Sequence, residues 1–143
     1  MGKPKVMFLC SGNSARSQMA EGWLRHLAGD RFDVVSAGTE PSGVNPLAVA
    51  VMHERGVDIS GHTAKAVGTF LGESFAYLIT VCDNAREKCP IFPGAVKRIH
   101  WPLDDPAAAV GSDAERKAVF RRVRDEIEAR IHAWLQEPES GAA

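Results

Sequence analysis

Short apolar runs alternate with stretches of helical periodicity along the chain. Lys5 to Cys10 reads KVMFLC, a continuous run of the kind that forms a parallel strand buried on both faces. It gives way to Ser11-Gly12-Asn13-Ser14, which is loop chemistry. Met19, Ala20, Trp23, Leu24 and Leu27 then share one face of a helix, with Gly29 placed to stop it as a C′ residue. Phe32 to Ser36 predicts a second strand. Thr39 to Asn45 is a turn-rich connection holding Pro41 and Gly43. Asn45-Pro46 is the N-cap and N1 signature of a helix running to Gly56, and a short helix is expected after Ser60. Phe75 to Val81 and Val96 to Trp101, rich in aromatic and β-branched residues, predict strands three and four. Ser112-x-x-Glu115 is a capping box. It opens a last helix on which Val119, Phe120, Val123, Ile127, Ile131 and Trp134 recur at helical spacing. Pro138 to Ala143 is expected to fray.

Strands and helices that alternate in this way predict an α/β fold. The expected architecture is three-layered, a four-stranded parallel sheet with helices on both faces, in a single domain over residues 1–143. In such sheets ligands bind beyond the carboxyl ends of the strands. Cys10 ends the first strand, Cys82 follows the third, and Asp104-Asp105 follow the fourth, so these three elements converge on one edge.

Composition narrows the function. The chain has 143 residues, 45% hydrophobic and 24% charged, which is ordinary for a globular protein and excludes collagen, coiled coil and wholesale disorder. Seventeen basic and 18 acidic residues leave a net charge of −1, with no basic stripe to follow a phosphate backbone, so nucleic acid is not an expected partner. No apolar stretch approaches the roughly 20 residues of a membrane span. The first ten residues lack the form of a signal peptide. A cytoplasmic monomer is expected. Three cysteines are a poor disulfide framework in a reducing compartment, so they are either buried filler or chemistry.

Cys10-Ser-Gly-Asn-Ser-Ala-Arg16-Ser17 fits Cys-x5-Arg-Ser between a strand and a helix. That spacing is common by chance, and the strand-to-helix context gives it meaning. A loop wrapping onto a helix N-terminus aims several backbone N–H groups at one point, where a tetrahedral oxyanion fits. Arg16 can clamp two of its oxygens. The same field favours a thiolate at Cys10, and Ser14 and Ser17 can donate to it. Gly12 permits the tight path. Asp105, stiffened by Pro106, is placed to act as a general acid, although an Asx turn is the plainer use of such a residue. Cys82 and Cys89 stand two helical turns apart, roughly 10.5 Å of rise. A disulfide needs Cα atoms within about 7 Å, so the two could join only if the segment bent or unwound. Asp83-Asn84 and Pro90 make that plausible, but two unrelated cysteines would look the same. No Cys-x-x-Cys pair exists and the histidines are scattered, so no metal site is expected. Trp23, Met19, His62 and His100 carry no expected site role.

CSGNSARSQMAEGW, Ser36-Ala37-Gly38, Cys82, Cys89 and WPLDDP together resemble the thioredoxin-coupled arsenate reductases, which share the low-molecular-weight tyrosine phosphatase fold. The resemblance extends to about Leu135, and the Cys82/Cys89 pair is its more specific mark. It implies that Cys10 attacks arsenate held by Ser11, Gly12, Asn13, Ser14, Ala15, Arg16 and Ser17, with Asp105 protonating the departing oxygen. Cys82 would then attack Cys10 and release arsenite, Cys89 would attack Cys82, and thioredoxin would reduce the final disulfide. Ala15 stands where some relatives carry a cysteine, at a position outside the relay.

In related reductases a potassium ion can sit beside the loop, held by residues matching Asn13, Glu21 and Ser36 and by an acidic residue matching Lys65. Here Lys65 can supply the charge itself by pairing with Glu21, so neither potassium nor another cofactor is expected. A solvated lysine is the alternative. A low-molecular-weight tyrosine phosphatase is the second functional reading, since it begins with the same thiolate attack. Those phosphatases usually carry tyrosines just after the Asp-Pro. Here Asp105-Pro106 is followed by Ala107, Ala108, Ala109 and Val110, and the single tyrosine, Tyr77, lies in a strand. A non-catalytic oxyanion binder would need neither a nucleophile nor an acid.

Overall fold

A computed structural model describes residues 2–82 and 94–137. Four strands, β1 (Lys5–Cys10), β2 (Asp33–Gly38), β3 (Phe75–Thr80) and β4 (Ala95–His100), form one sheet in the order β2-β1-β3-β4. All three pairings are parallel. The helices are α1 (Arg16–Ala28), α2 (Pro46–His53) and α3 (Asp113–Leu135), with short 3-10 helices at Val67–Phe70 and Pro106–Ala108.

β1 is central, and its sequence says why. Successive side chains of a strand point to opposite faces. Val6, Met7, Phe8 and Leu9 are all fully buried, so β1 is covered on both sides, as an α/β layering requires. Phe8 meets Trp101, and Trp101 and Tyr77 both pack on Trp134 of α3. α1 packs on α3, where Trp23 Nε1 donates to the Arg124 carbonyl at 3.2 Å.

The capping box forms as predicted: the Ser112 side chain accepts from the Glu115 N–H, and Glu115 accepts from the Ser112 N–H. Asn45 caps α2 by accepting from the Leu47 N–H, with Pro46 at the first position. α2 ends at His53, and the chain leaves it through Gly56 at φ 76°. Three expectations shift. β2 runs to Gly38 rather than Ser36, because Cys10 pairs with Gly38 at the end of the ladder. Gly29 is no left-handed C′ residue: it caps α1 with φ −63° and ψ −18°, so the helix ends without using glycine's conformational freedom. The short helix expected after Ser60 is absent there; a 3-10 turn forms instead at Val67–Phe70, anchored by buried Val67. Cys89, Asp83, Asn84, Pro90 and the 138–143 tail lie outside the described residues.

Candidate active site

The loop from Cys10 to Ala15 joins the end of β1 to the start of α1. Its path is fixed from outside. The carbonyls of Cys10, Ser11, Gly12 and Ser14 accept from the N–H groups of Thr39, Glu40, Ser42 and Asn45, at 2.8–3.1 Å. A trans peptide places its N–H opposite its C=O. With those carbonyls drawn toward 39–45, the N–H groups of Ser11, Gly12, Asn13 and Ala15 turn the other way. α1 begins at Arg16 with no side-chain cap, so its first N–H groups face the same hollow. The hollow is a cavity of about 350 Å³ lined by Cys10, Ser11, Gly12, Ser14, Ala15, Arg16, Glu40, Ser42, Asp105 and Ala107.

Two glycine contacts hold this shape. A Cβ on Gly38 would lie 2.5 Å from the Ser11 carbonyl oxygen and 2.8 Å from the Asn13 nitrogen, so the loop can nest against β2 only because that position is glycine. A Cβ on Gly12 would meet Ser42 Oγ at 2.7 Å, which makes Ser42 a wall.

Cys10 is buried, and its Sγ lies 2.9 Å from Ser17 Oγ. Asn13 Nδ2 donates to Ser17 Oγ at 2.8 Å and to Ser36 Oγ at 2.9 Å, while its Oδ1 accepts from the Lys65 N–H at 2.8 Å. Asn13 is fully buried at φ 48°, a left-handed conformation that a non-glycine residue keeps only when its surroundings insist on it. Arg16 Nη1 donates to the Leu103 carbonyl at 3.0 Å, and Nη2 lies 3.7 Å from Asp105 Oδ2. The two aspartates part company: Asp104 pairs with Arg122 at 3.2 Å, and Asp105 faces the loop. Asp105 also accepts from the Ala107 N–H at 3.0 Å, so the Asx turn and the placement beside Arg16 coexist. Cys82 is buried, with its Sγ 3.5 Å from Ser11 Oγ. The structure thus brings Cys10, Arg16, Ser17, Cys82 and Asp105 to one sheet edge.

Behind the loop stands a network that the sequence reading only partly anticipated. Ser36 Oγ donates to Glu21 Oε1 at 2.6 Å. Lys65 Nζ lies 3.8 Å from the same oxygen and donates to the Thr63 carbonyl at 2.8 Å. The nearest cation to Glu21 is Arg25, at 2.7 Å from Oε2, which the sequence left unremarked despite its i+4 spacing. Gln18 Nε2 donates to the Asn13 and Thr63 carbonyls, both at 3.0 Å. Its Oε1 is then the acceptor facing His62 Nδ1 at 3.0 Å, so Nδ1 carries the hydrogen and Nε2 accepts from Arg25 Nη1 at 3.2 Å. Burial pushes the His62 imidazole below its usual range, with Glu21 opposing. Gln18 went unremarked and His62 was given no site role, because no short motif links residues 44 positions apart. Glu40 and Ser42 were missed because a turn-rich segment reads as a connection rather than a wall.

Among the described residues, no helix is long and apolar enough to cross a membrane, and no group of three or more His, Cys, Asp or Glu could hold a metal ion.

Comparison with known proteins accounts for this assembly. The low molecular weight phosphotyrosine protein phosphatase family matches residues 5–140. An arsenate reductase of Halalkalibacterium halodurans is 49% identical over 136 residues, covering 95% of this chain and 98% of its own. A solved arsenate reductase in the phosphate binding state aligns with TM-score 0.78 at 36% identity, over 91% of this chain and 95% of the other. A Corynebacterium glutamicum thioredoxin-dependent arsenate reductase aligns with TM-score 0.67 at 30% identity, over 92% of this chain and 61% of that one. The matches cover nearly the whole chain, including the strand-loop-helix cavity with its buried thiol, and the chain belongs to the low molecular weight phosphotyrosine protein phosphatase family, among its arsenate reductases.

Proposed function

We propose that the protein reduces arsenate to arsenite through a relay of Cys10, Cys82 and Cys89, and that thioredoxin restores the thiols. The observation that carries this reading is the juxtaposition at one loop: Cys10 at the cavity floor, 2.9 Å from Ser17 Oγ, and the buried Cys82 thiol, 3.5 Å from Ser11 Oγ. The dependence on thioredoxin draws support from the Corynebacterium relative named for it.

Arsenate enters with its oxygens on the loop N–H groups and on Arg16. The Cys10 thiolate attacks arsenic and an As–S bond forms. One oxygen leaves as water, taking its proton from Asp105. The Cys82 sulfur then attacks the Cys10 sulfur. An S–S bond forms, the As–S electron pair passes to arsenic, and As(V) departs as arsenite, As(III). The Cys89 thiolate attacks Cys82, freeing Cys10 and leaving a Cys82–Cys89 disulfide. The thioredoxin dithiol supplies the two electrons that reduce it.

No potassium enters this scheme. Glu21 already has Arg25 at 2.7 Å and Lys65 at 3.8 Å, an arrangement that does not suit a further cation. Lys65 and Arg25 balance the Glu21 carboxylate, and Ser36 and Asn13 link that carboxylate to the loop by hydrogen bonds. The phosphatase reading shares the first step. The cavity wall formed by Ser42 and Ala107 offers a phenyl ester no aromatic surface, which favours a free oxyanion.

Arsenate-dependent NADPH oxidation, coupled through thioredoxin and its reductase, tests the reading. Sustained turnover that stops when thioredoxin is omitted is expected, and Cys89→Leu should stall after about one turnover with a Cys10–Cys82 disulfide detectable by mass spectrometry. Strong p-nitrophenyl phosphate hydrolysis without arsenate turnover would mean a phosphatase.

A further inference from the structure

We infer that Ser42 is a specificity-determining residue: its hydroxyl donates a hydrogen bond to the outward oxygen of a tetrahedral oxyanion seated on the loop, and so favours a free oxyanion over one that carries carbon at that corner. The inference rests on reading the cavity as an oxyanion site, and it assigns a contact from outside the loop.

A tetrahedral oxyanion above the Cys10 thiol can turn three oxygens toward the loop N–H groups and Arg16. The fourth points outward, beyond the reach of the floor. Whatever meets it stands on the walls, which are Glu40, Ser42, Asp105 and Ala107. Ala107 has no polar side chain. A carboxyl group donates only while it is protonated, which Asp105 does once, in the proposed reacting step. A hydroxyl donates at any pH and neither gains nor loses a proton in doing so.

Backbone and side chain both hold Ser42 against the loop. Its N–H donates to the Gly12 carbonyl at 2.9 Å. Its Oγ stands 2.7 Å from the point where a Cβ on Gly12 would lie, and Ser14 Cβ is 3.5 Å from that same point. Gly12 and Ser14 both line the cavity, so the hydroxyl borders the seat of the oxyanion. The Ser11 hydroxyl, also in the lining, faces Cys82 at 3.5 Å. The Ser42 hydroxyl has no hydrogen-bond partner among the described residues, so its hydrogen is available to a ligand. A ligand with carbon at the outward corner leaves that hydrogen facing an apolar group, and a site built to hydrogen-bond an oxygen rejects such an analogue. Ser42 is exposed, so water softens the penalty to about 3–10-fold, far less than a closed site reaches.

The test is protection of Cys10 from iodoacetamide, read at Cys10 by mass spectrometry, with phosphate and methylphosphonate as paired ligands. Methylphosphonate carries a methyl group in place of one oxygen and keeps three oxygens for the floor. The ratio of the two protection constants therefore reports on the outward corner, and differences between the free ligands cancel when variants are compared. Ser42→Ala should shrink the preference for phosphate by about 3–10-fold, and Ser42→Thr, which keeps the hydroxyl, should retain it. An unchanged ratio in Ser42→Ala, or an equal loss of preference in Ser42→Thr, would overturn the proposal. Failure of both ligands to protect wild-type Cys10 would overturn the oxyanion site and Ser42 with it. Because the readout needs no turnover, absence of thioredoxin-dependent arsenate reduction with the shift in ratio intact would count against the proposed reaction and not against Ser42.

Discussion

The oxyanion loop and the connection that carries Asp105 face each other across one cavity, yet they are held in opposite ways. Asn13 is fully buried, sits in the left-handed region at φ 48°, and makes three side-chain hydrogen bonds to three different segments. Four loop carbonyls are tied to residues 39–45. Asp105 is half exposed, with one local turn bond and a 3.7 Å approach to Arg16. The loop half is rigid and the Asp105 half is adjustable. That division suits the proposed chemistry: donors that stabilise developing charge work best when they need not reorganise, while an acid must follow a departing oxygen.

The most damaging way to break this contrast is Asn13→Ala. It leaves Ser17, Ser36 and the Lys65 N–H without their shared partner and removes a side chain suited to the left-handed position. Unfolding free energy should fall by about 2–4 kcal/mol in a denaturant titration. Arsenate kcat/KM should fall by roughly 100-fold or more. Asp105→Asn strikes the other half. Asparagine can still accept from the Ala107 N–H, so stability should change by less than about 0.5 kcal/mol. Steady-state kinetics should show kcat reduced by about 100-fold with KM little altered. If both variants lost the same stability, the rigid and adjustable halves would not be distinct.

Legibility in the sequence followed the same line. Cys-x5-Arg-Ser is read easily because the whole loop is one stretch of chain running from a strand into a helix. The Ser112 capping box and the Asn45-Pro46 helix start are equally local, and both form. What escaped was long-range. Gln18 meets His62 across 44 residues of chain, and Gly38 nests against Ser11 and Asn13 because β2 pairs with β1, contacts that no nearby residue announces. Gly29 misled because glycine after an apolar helical face usually marks a left-handed stop, whereas here the chain continues in a right-handed turn.

Two smaller effects sharpen the contrast from outside. Glu54, far from the cavity, receives hydrogen bonds from Arg121 first and then Arg124, which hold its carboxyl down at about 2. A depressed carboxylate stabilises the fold above its ordinary value of 4.5 and loses that contribution as pH falls toward 2. Glu54→Gln should therefore flatten the acid side of the melting-temperature profile by a few degrees at most, since Glu54 and Arg121 are open to solvent, and leave the profile near neutrality almost parallel to the wild type. Smallest of all, potassium should leave melting temperature and arsenate KM unchanged within error. A clear potassium-dependent rise would mean that Lys65 and Arg25 do not complete the rigid half.

The central place of β1 has a consequence for how the protein comes into being. Residue 10 ends the middle strand, and its neighbours arrive from distant stretches: Gly38 from one side, Cys82 from the other, Asp105 after the last strand. Parallel pairing requires long chain closures before any contact rewards them. The cavity therefore exists only when all these strands have paired, and a half-folded molecule lacks it. If the substrate binds there, as proposed, it favours only the finished protein, so arsenate itself would tend to preserve the enzyme that reduces it.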